Sequence, residues 1–150
     1  MQKYRKILAA VDFSDVSKAA AAEAVGLAER YGAELTLLHV IEHFPEHLPH
    51  YHMSEEDMDP QEFLIDRAKR DLGNLGEALG MPSAERVVKL TTHSAKSEIL
   101  KYVDGNDVDL IIIGAVGRTM LADIVGGSTA AALVRAAPCD VLAVRPSPSD

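Results

Sequence analysis

The sequence predicts an α/β fold, a doubly wound parallel sheet of five strands with helices on both faces. Two observations carry this prediction. Short apolar runs alternate along the chain with longer stretches of helical spacing, and the runs at 7–11 and 110–113 are apolar at every position. Uninterrupted apolar runs are typical of strands buried on both faces, and strands that alternate with helices form parallel sheets with right-handed crossovers. The 150 residues have the length of one ordinary domain, which we take as residues 1–150 with a frayed tail at 146–150.

The five strands are predicted in the segments KILAAVD, ELTLLHVI, ERVVKLT, VDLIIIG and DVLAVR, in that order. A first helix separates the first two strands. Its N-cap candidates are Ser14 and Ser17, and it ends at Gly32, because glycine readily adopts the left-handed conformation that closes a helix.

Three more helices separate the remaining strands. The second spans about 61–79, where leucine and alanine recur every three or four residues, although Gly73 and Gly76 weaken it by about 1 kcal/mol each relative to alanine. The third covers about 95–103. The fourth begins near Ser128 and ends before Pro138.

The composition restricts the classes of function. The formal net charge is −8 and no basic patch is long enough to follow a phosphate backbone, so we expect no nucleic-acid partner. The apolar run near the N-terminus is too short for a signal sequence or a membrane span, which favours a cytoplasmic protein without membrane insertion. The single cysteine, Cys139, excludes an internal disulfide. Since no cationic residue flanks it, we expect an inert thiol and not a catalytic one.

The most unusual segment is GAVGRTMLADIVGGST, residues 114–129, which holds four of the ten glycines. It follows the fourth strand directly, and doubly wound sheets bind ligands outside the carboxyl ends of their strands, where the winding reverses. Asp12 follows the first strand in the same way. If the first and fourth strands are neighbours, Asp12 and the glycine segment face one crevice.

Two interpretations of this segment stay open on the residues alone. In the first, Gly126 and Gly127 let an anion approach the unpaired N–H groups at the start of the fourth helix, where Ser128 and Thr129 add hydroxyls. In the second, the glycines only permit tight packing between strand and helix. The GK[ST] triplet of a P-loop and the GxGxxG spacing of dinucleotide-binding folds are both absent.

The spacing Gly114-x2-Gly117-x9-Gly127-Ser128 resembles the G-x2-G-x9-G-[S/T] motif of the ATP-binding universal stress proteins. The segments KILAAVDFSDVSKAA, AELTLLHVIE, DVDLIIIGAVGR and APCDVLAVRP are similar to other parts of that family, so the resemblance covers essentially the whole chain. It implies an adenine nucleotide alpha hydrolase-like fold with strand order 3-2-1-4-5. It also implies a homodimer through the last strand, Asp140–Arg145, and ATP bound across the crevice. ADP and AMP are alternative ligands, and Mg²⁺ or Mn²⁺ can accompany the nucleotide.

The same resemblance assigns the nucleotide-binding residues. Ala10, Val11 and Asp12 border the adenine and ribose, and Val40 offers its backbone to the adenine edge. The ribose and phosphates are held by Gly114, Gly117, Arg118, Gly127, Ser128 and Thr129.

The chain departs from the family at Ala115 and Val116, where Gly-Ser-[His/Arg]-Gly is common. Backbone donors survive this change and the side-chain contacts do not, so the preference between ATP and AMP stays open. Two of the assigned residues also have a second interpretation. Asp12 can cap the next turn, and Arg118 can be an exposed loop residue.

No combination of nucleophile, base and orienting group appears, so no catalytic residue is predicted. The preferred function is a regulatory module that binds ATP in a stress response and contacts an unknown regulatory protein. One alternative is a slow ATPase or phosphotransferase, with Asp12 acting through Mg²⁺ or Mn²⁺. The other is a nucleotide-free interaction protein.

A predicted loop carries the remaining chemistry-bearing side chains, which are Glu46, His43, His47, His50 and His52. Their spacing matches no standard structural zinc pattern, so no metal site is predicted. Solvated side chains, a lid over the nucleotide or a partner surface are expected instead. His39 is expected to pack within a core strand, and His93 to help start a helix.

Overall fold

A computed structural model describes the chain over residues 3–42, 59–115 and 128–145. In these ranges five parallel strands form one sheet in the order β3-β2-β1-β4-β5, which confirms the expected strand order. The strands are β1 (Lys6–Ala10), β2 (Glu34–Glu42), β3 (Glu85–Thr91), β4 (Leu110–Gly114) and β5 (Asp140–Val144). Winding runs from β1 outward to β3, returns to β4 beside β1, and ends at β5.

Within the described ranges, four helices connect the strands, as predicted. They are α1 (Asp15–Tyr31), α2 (Pro60–Ala78), α3 (Ala95–Gly105) and α4 (Ser128–Ala136). Helix α2 begins and ends one residue earlier than the sequence predicts, and α3 ends two residues later. Helix α2 begins at Pro60, because the Asp59 side chain caps it by accepting from the Gln61 N–H at 3.1 Å and proline is well suited to the first helical turn. Helix α3 continues past Val103 to Gly105.

The sheet separates two hydrophobic cores. Side chains of β1 alternate between them: Ile7 and Ala9 lie in the core covered by α1 and α2, and Leu8 and Ala10 lie in the core covered by α3 and α4. Both cores contain fully buried leucine or isoleucine side chains of β1, β2 and β4. The central strands are therefore buried on both faces, which is why their sequences are apolar without interruption.

Helix α1 begins after the first of its two N-cap candidates, with Ser17 inside the helix, and ends at the predicted glycine. Ser14 is its N-cap, and the Ser14 hydroxyl accepts from the Ser17 N–H at 3.2 Å. Gly32 closes it in the left-handed conformation with φ 65°, and its N–H points to the carbonyls of Ala28 and Glu29. The buried face of α1 is rich in alanine, so the helix lies close against the sheet. This close packing holds the N-terminus of α1 firmly at the carboxyl end of β1.

Gly76 in α2 has a packing role that its low helix propensity does not suggest. A Cβ at this position would lie 3.2 Å from the carbonyl oxygen of Met81, in the turn that follows the helix. The Met81 N–H in turn donates to the Gly76 carbonyl at 2.8 Å. The glycine thus lets the chain after α2 fold back against the helix.

Candidate functional site

The point where the winding reverses lies between β1 and β4. These strands are parallel neighbours, and Ala9 is paired with Ile112. Two residues further along each strand, the chain reaches Val11 on one side and Gly114 on the other. Asp12 and the start of the glycine segment therefore leave the sheet side by side at its carboxyl edge, which is the arrangement that a shared crevice requires.

The β1–α1 turn, residues 11–14, is held by a local hydrogen-bond network. The Asp12 carboxylate oxygen Oδ1 accepts from the Ser14 N–H at 3.0 Å and also from the Ser14 hydroxyl. The Asp12 N–H donates to Ser17 Oγ at 3.2 Å, and Ser17 Oγ donates to the Ser14 carbonyl at 3.0 Å. The capping interpretation of Asp12 is therefore correct, and it fixes a half-buried carboxylate at the end of β1.

The residue after Asp12 has an uncommon backbone conformation. Phe13 has φ 64°, in the left-handed region that a bulky side chain rarely adopts. Its ring lies 4.8 Å from the His39 ring, centroid to centroid, with the planes tilted by 46°. His39 Nδ1 also lies 2.7 Å from the carbonyl oxygen of Val11. His39 thus contacts the residues on both sides of Asp12, a role that goes beyond the simple core packing expected from the sequence.

Strand β2 extends further than β1, so the backbone groups of Val40 lie beyond the last residue of β1. β1 ends at Ala10, but the Val11 N–H still donates to the Leu38 carbonyl at 2.8 Å. Peptide groups alternate in direction along an extended strand, so Val40 directs its N–H and C=O to the same side as Leu38, beyond the end of β1. The Val40 side chain is half-buried and packs in the core that contains Ala10. Ala10 and Val40 therefore border one corner of the carboxyl edge.

The other side of the crevice is described up to residue 115. Gly114 is buried, and the Ala115 N–H donates to the Val144 carbonyl at 2.7 Å, so the chain stays beside β5 as it leaves β4. The predicted site residues Gly117, Arg118 and Gly127 lie outside the described residues.

Helix α4 begins at Ser128, as predicted, and Thr129 in its first turn is half-buried. Because each helix runs antiparallel to the strands it connects, α1 and α4 both begin at the carboxyl edge, on opposite faces of the sheet. A helix N-terminus carries a partial positive charge and unpaired N–H groups. Both termini lie at the carboxyl edge, where their dipoles favour an anion in a protein whose net charge is −8, although Ser14 already satisfies the Ser17 N–H in the first turn of α1.

The carboxyl edge has a further contact at β2 and α3. Glu42, the last residue of β2, accepts a hydrogen bond through Oε2 from the Ala95 N–H at 2.9 Å, in the first turn of α3. Ser94 caps the same helix by accepting from the Ser97 N–H. His93 is exposed, and its own N–H donates to Thr91 Oγ1 at 2.9 Å, so Ser94 starts the helix and His93 does not.

The remaining candidate residues have a simpler outcome. Cys139 is half-buried, and burial, followed by the nearby carboxylates of Asp140 and Asp109, raises the pKa of its thiol above the ordinary value. A protonated thiol is a poor nucleophile, which agrees with the inert role.

The His43–His52 segment lies outside the described residues. Within the described ranges, no group of three histidine, cysteine or acidic side chains is arranged to hold a metal ion, and no helix is long and apolar enough to cross a membrane.

Comparison with known proteins identifies the family of this arrangement. The model of the universal stress protein family matches residues 3–145. The chain is 34% identical to universal stress protein A homolog 2 of Coxiella burnetii over 146 residues, which cover 97% of each chain.

Solved structures agree with this match. Universal stress protein UspA from Lactobacillus plantarum is 30% identical with a TM-score of 0.73, covering 95% of this chain and 99% of that one. The universal stress protein of Archaeoglobus fulgidus in complex with dAMP has the same fold, with a TM-score of 0.63 at 18% identity over 96% of this chain and 99% of that one.

Proposed function

Since the chain belongs to the universal stress protein family, we propose that it binds an adenine nucleotide, ATP in the first place, at the carboxyl ends of β1, β2 and β4. It would act as a cytoplasmic, homodimeric regulatory module of the stress response. One observation carries the proposal. The carboxylate of Asp12 after β1 and the glycine segment after β4 leave neighbouring strands at the point where the sheet reverses its winding.

Each part of the nucleotide has a chemically suitable neighbour at this edge. The adenine lies against Ala10 and the Val40 side chain, where the Val40 peptide groups can pair with its polar edge. The ribose hydroxyls meet the Asp12 carboxylate, which the Ser14 hydrogen bonds hold in place. The bound dAMP of the Archaeoglobus fulgidus relative supports an adenine nucleotide as the ligand class.

The phosphates are assigned to the glycine segment and the start of α4. Helix N-termini bind anions through free N–H groups and the helix dipole, and no lysine is required. The proposed phosphate contacts are Gly114, Gly117, Arg118, Gly127, Ser128 and Thr129. Mg²⁺ or Mn²⁺ would enter with the nucleotide and neutralise phosphate charge, since both ions prefer carboxylate and phosphate oxygens.

Ala115 and Val116 bear on the choice between ATP and AMP. They offer only backbone donors at positions where the family commonly has serine and a histidine or arginine. A nucleotide with one phosphate depends less on those donors than one with three. We therefore expect AMP to compete with ATP more effectively than it would in relatives that keep the polar pair.

The homodimer is proposed to form through β5. This strand is one of the two edges of the sheet, and its Leu142 side chain is 38% exposed. An uncovered edge strand presents unpaired peptide groups that another chain can use. Pairing between two copies of β5 would remove that edge from both.

The test is direct. The purified protein is denatured and its supernatant is analysed for nucleotides, and the nucleotide-free protein is then titrated with ATP, ADP, AMP and cAMP in a calorimeter. We expect co-purified adenine nucleotide or binding at micromolar concentrations. The absence of both, with no heat at high micromolar ATP, would exclude the proposal. Phosphate release during incubation with ATP and Mg²⁺, lost in Asp12→Ala, would favour the ATPase alternative.

A further inference from the structure

We infer that His39 is a positioning residue: it holds the β1–α1 turn in the shape that presents Asp12 to the nucleotide. The inference rests on the proposed function, because it concerns the same crevice. It assigns to His39 a role that does not require contact with the ligand. Two observations carry it, the hydrogen bond from the His39 ring to the Val11 carbonyl and the contact of that ring with Phe13.

The hydrogen bond fixes one specific peptide group. The Val11 carbonyl belongs to the peptide that joins Val11 to Asp12. Its oxygen lies 2.7 Å from His39 Nδ1, and the N–H of the same peptide donates to Ser17 Oγ at 3.2 Å. Both polar ends of this peptide are therefore held, one from β2 and the other from α1. The direction in which the Asp12 side chain leaves the backbone depends on this peptide plane.

The ring contact acts on the other side of Asp12. Phe13 has φ 64°, a conformation that persists in a bulky residue only when its surroundings enforce it. The His39 ring packs against the Phe13 ring at 4.8 Å. One side chain thus restrains the residue before Asp12 by a hydrogen bond and the residue after it by packing.

The bond also specifies a tautomer. A carbonyl oxygen only accepts hydrogen bonds, so Nδ1 of His39 must carry a proton. Asparagine places its amide N–H close to the position of Nδ1, whereas glutamine places it about where Nε2 lies. Asparagine can therefore replace the bond to Val11, and glutamine at the same position cannot. This difference separates the hydrogen bond from the volume and polarity of the side chain.

The experiment compares His39→Asn, His39→Gln and His39→Leu with the wild-type protein. His93→Gln is the matched control, because His93 is exposed and follows β3, which is not a neighbour of β1 or β4 in the sheet. Each protein is titrated with ATP and AMP in a calorimeter, and its thermal unfolding is recorded. His39→Asn keeps the hydrogen bond to Val11 but loses the ring contact with Phe13, so we expect it to weaken the Kd less than the other two variants do. We expect His39→Gln and His39→Leu to weaken it about tenfold, as loss of an orienting neighbour does at metal sites.

A spectroscopic measurement tests the hydrogen bond between His39 and the Val11 carbonyl without any ligand. Two-bond ¹H–¹⁵N correlation spectra of the wild-type protein should show His39 protonated at Nδ1. A bare Nδ1 would overturn the inference. Wild-type Kd values in His39→Gln and His39→Leu would overturn it while the proposed function stands. If the wild-type protein binds neither ATP nor AMP, the proposed function itself fails, and the inference fails with it.

Discussion

Asp12 combines a structural and a proposed binding role in one carboxylate. Its Oδ1 accepts two hydrogen bonds from Ser14, and its negative charge is the feature proposed to meet the ribose or a nucleotide-bound cation. The first role needs an oxygen that accepts hydrogen bonds. The second needs a charge. Asparagine retains the first and removes the second, so a pair of substitutions separates them.

We expect Asp12→Asn to leave the free energy of unfolding within about 0.5 kcal/mol of wild type, because its amide oxygen can still accept from the Ser14 N–H. Asp12→Ala should lose about 1 kcal/mol or somewhat more, since the Ser14 hydrogen bonds have no partner. Both variants should bind ATP at least tenfold more weakly. Urea denaturation and calorimetric titration measure the two effects, and wild-type affinity in Asp12→Ala would remove Asp12 from the binding site.

Phe13 allows a second test at the level of one residue. Its left-handed conformation costs a residue with a Cβ about 1–2 kcal/mol, and glycine adopts it freely. Phe13→Ala and Phe13→Gly both lose the ring contact with His39, but only the glycine variant relieves the backbone. We expect Phe13→Gly to be more stable than Phe13→Ala by about 1 kcal/mol in urea denaturation. The reverse order is what ordinary loop entropy would give, and it would argue against this turn conformation.

Among the elements, α1 offers a comparison of two glycines with opposite expectations. Gly26 lies exposed within the helix, and a Cβ added there would meet open space, whereas Gly32 is left-handed at φ 65°. Gly26→Ala should therefore stabilise the protein by about 0.5–1 kcal/mol through helix propensity. Gly32→Ala should destabilise it by about 1 kcal/mol or more. Thermal and urea unfolding measure both, and changes of the same sign would contradict the assigned end of α1.

The elements also show what the sequence could predict. Apolar runs and glycine positions located the five strands and four helices seen in the described parts of the chain, and the family resemblance supplied the strand order. The end of β1 was placed two residues too late, at Asp12, because an apolar run does not reveal that the backbone turns at Phe13. The side-by-side exit of β1 and β4 was predictable. The role of His39 was not predictable, because the sequence around a histidine near a strand end looks the same whether its ring only packs or also donates a hydrogen bond.

For the whole molecule, the proposed dimer can be broken without breaking the sheet. The Val144 carbonyl accepts from Ala115, so Val144 directs its peptide groups to β4, and Ala143 directs its own outward. Proline at 143 removes an outward N–H and is tolerated on an edge strand. We expect the wild-type protein to sediment at twice the chain mass and Ala143→Pro at the chain mass, with an unchanged circular dichroism spectrum. A dimer that survives this change would have another interface.

Helices α1 and α4 begin at the same edge but belong to different layers, each with its own core. A ligand that contacts the starts of both helices would couple the local unfolding of one layer to that of the other. Amide hydrogen exchange should then slow in α1 and α4 together when ATP is added, and the two helices should open as one cooperative unit. Protection confined to one helix would mean that the nucleotide is held from one face only. Because the two helices lie in separate layers, bound nucleotide would make the two faces of the sheet unfold cooperatively.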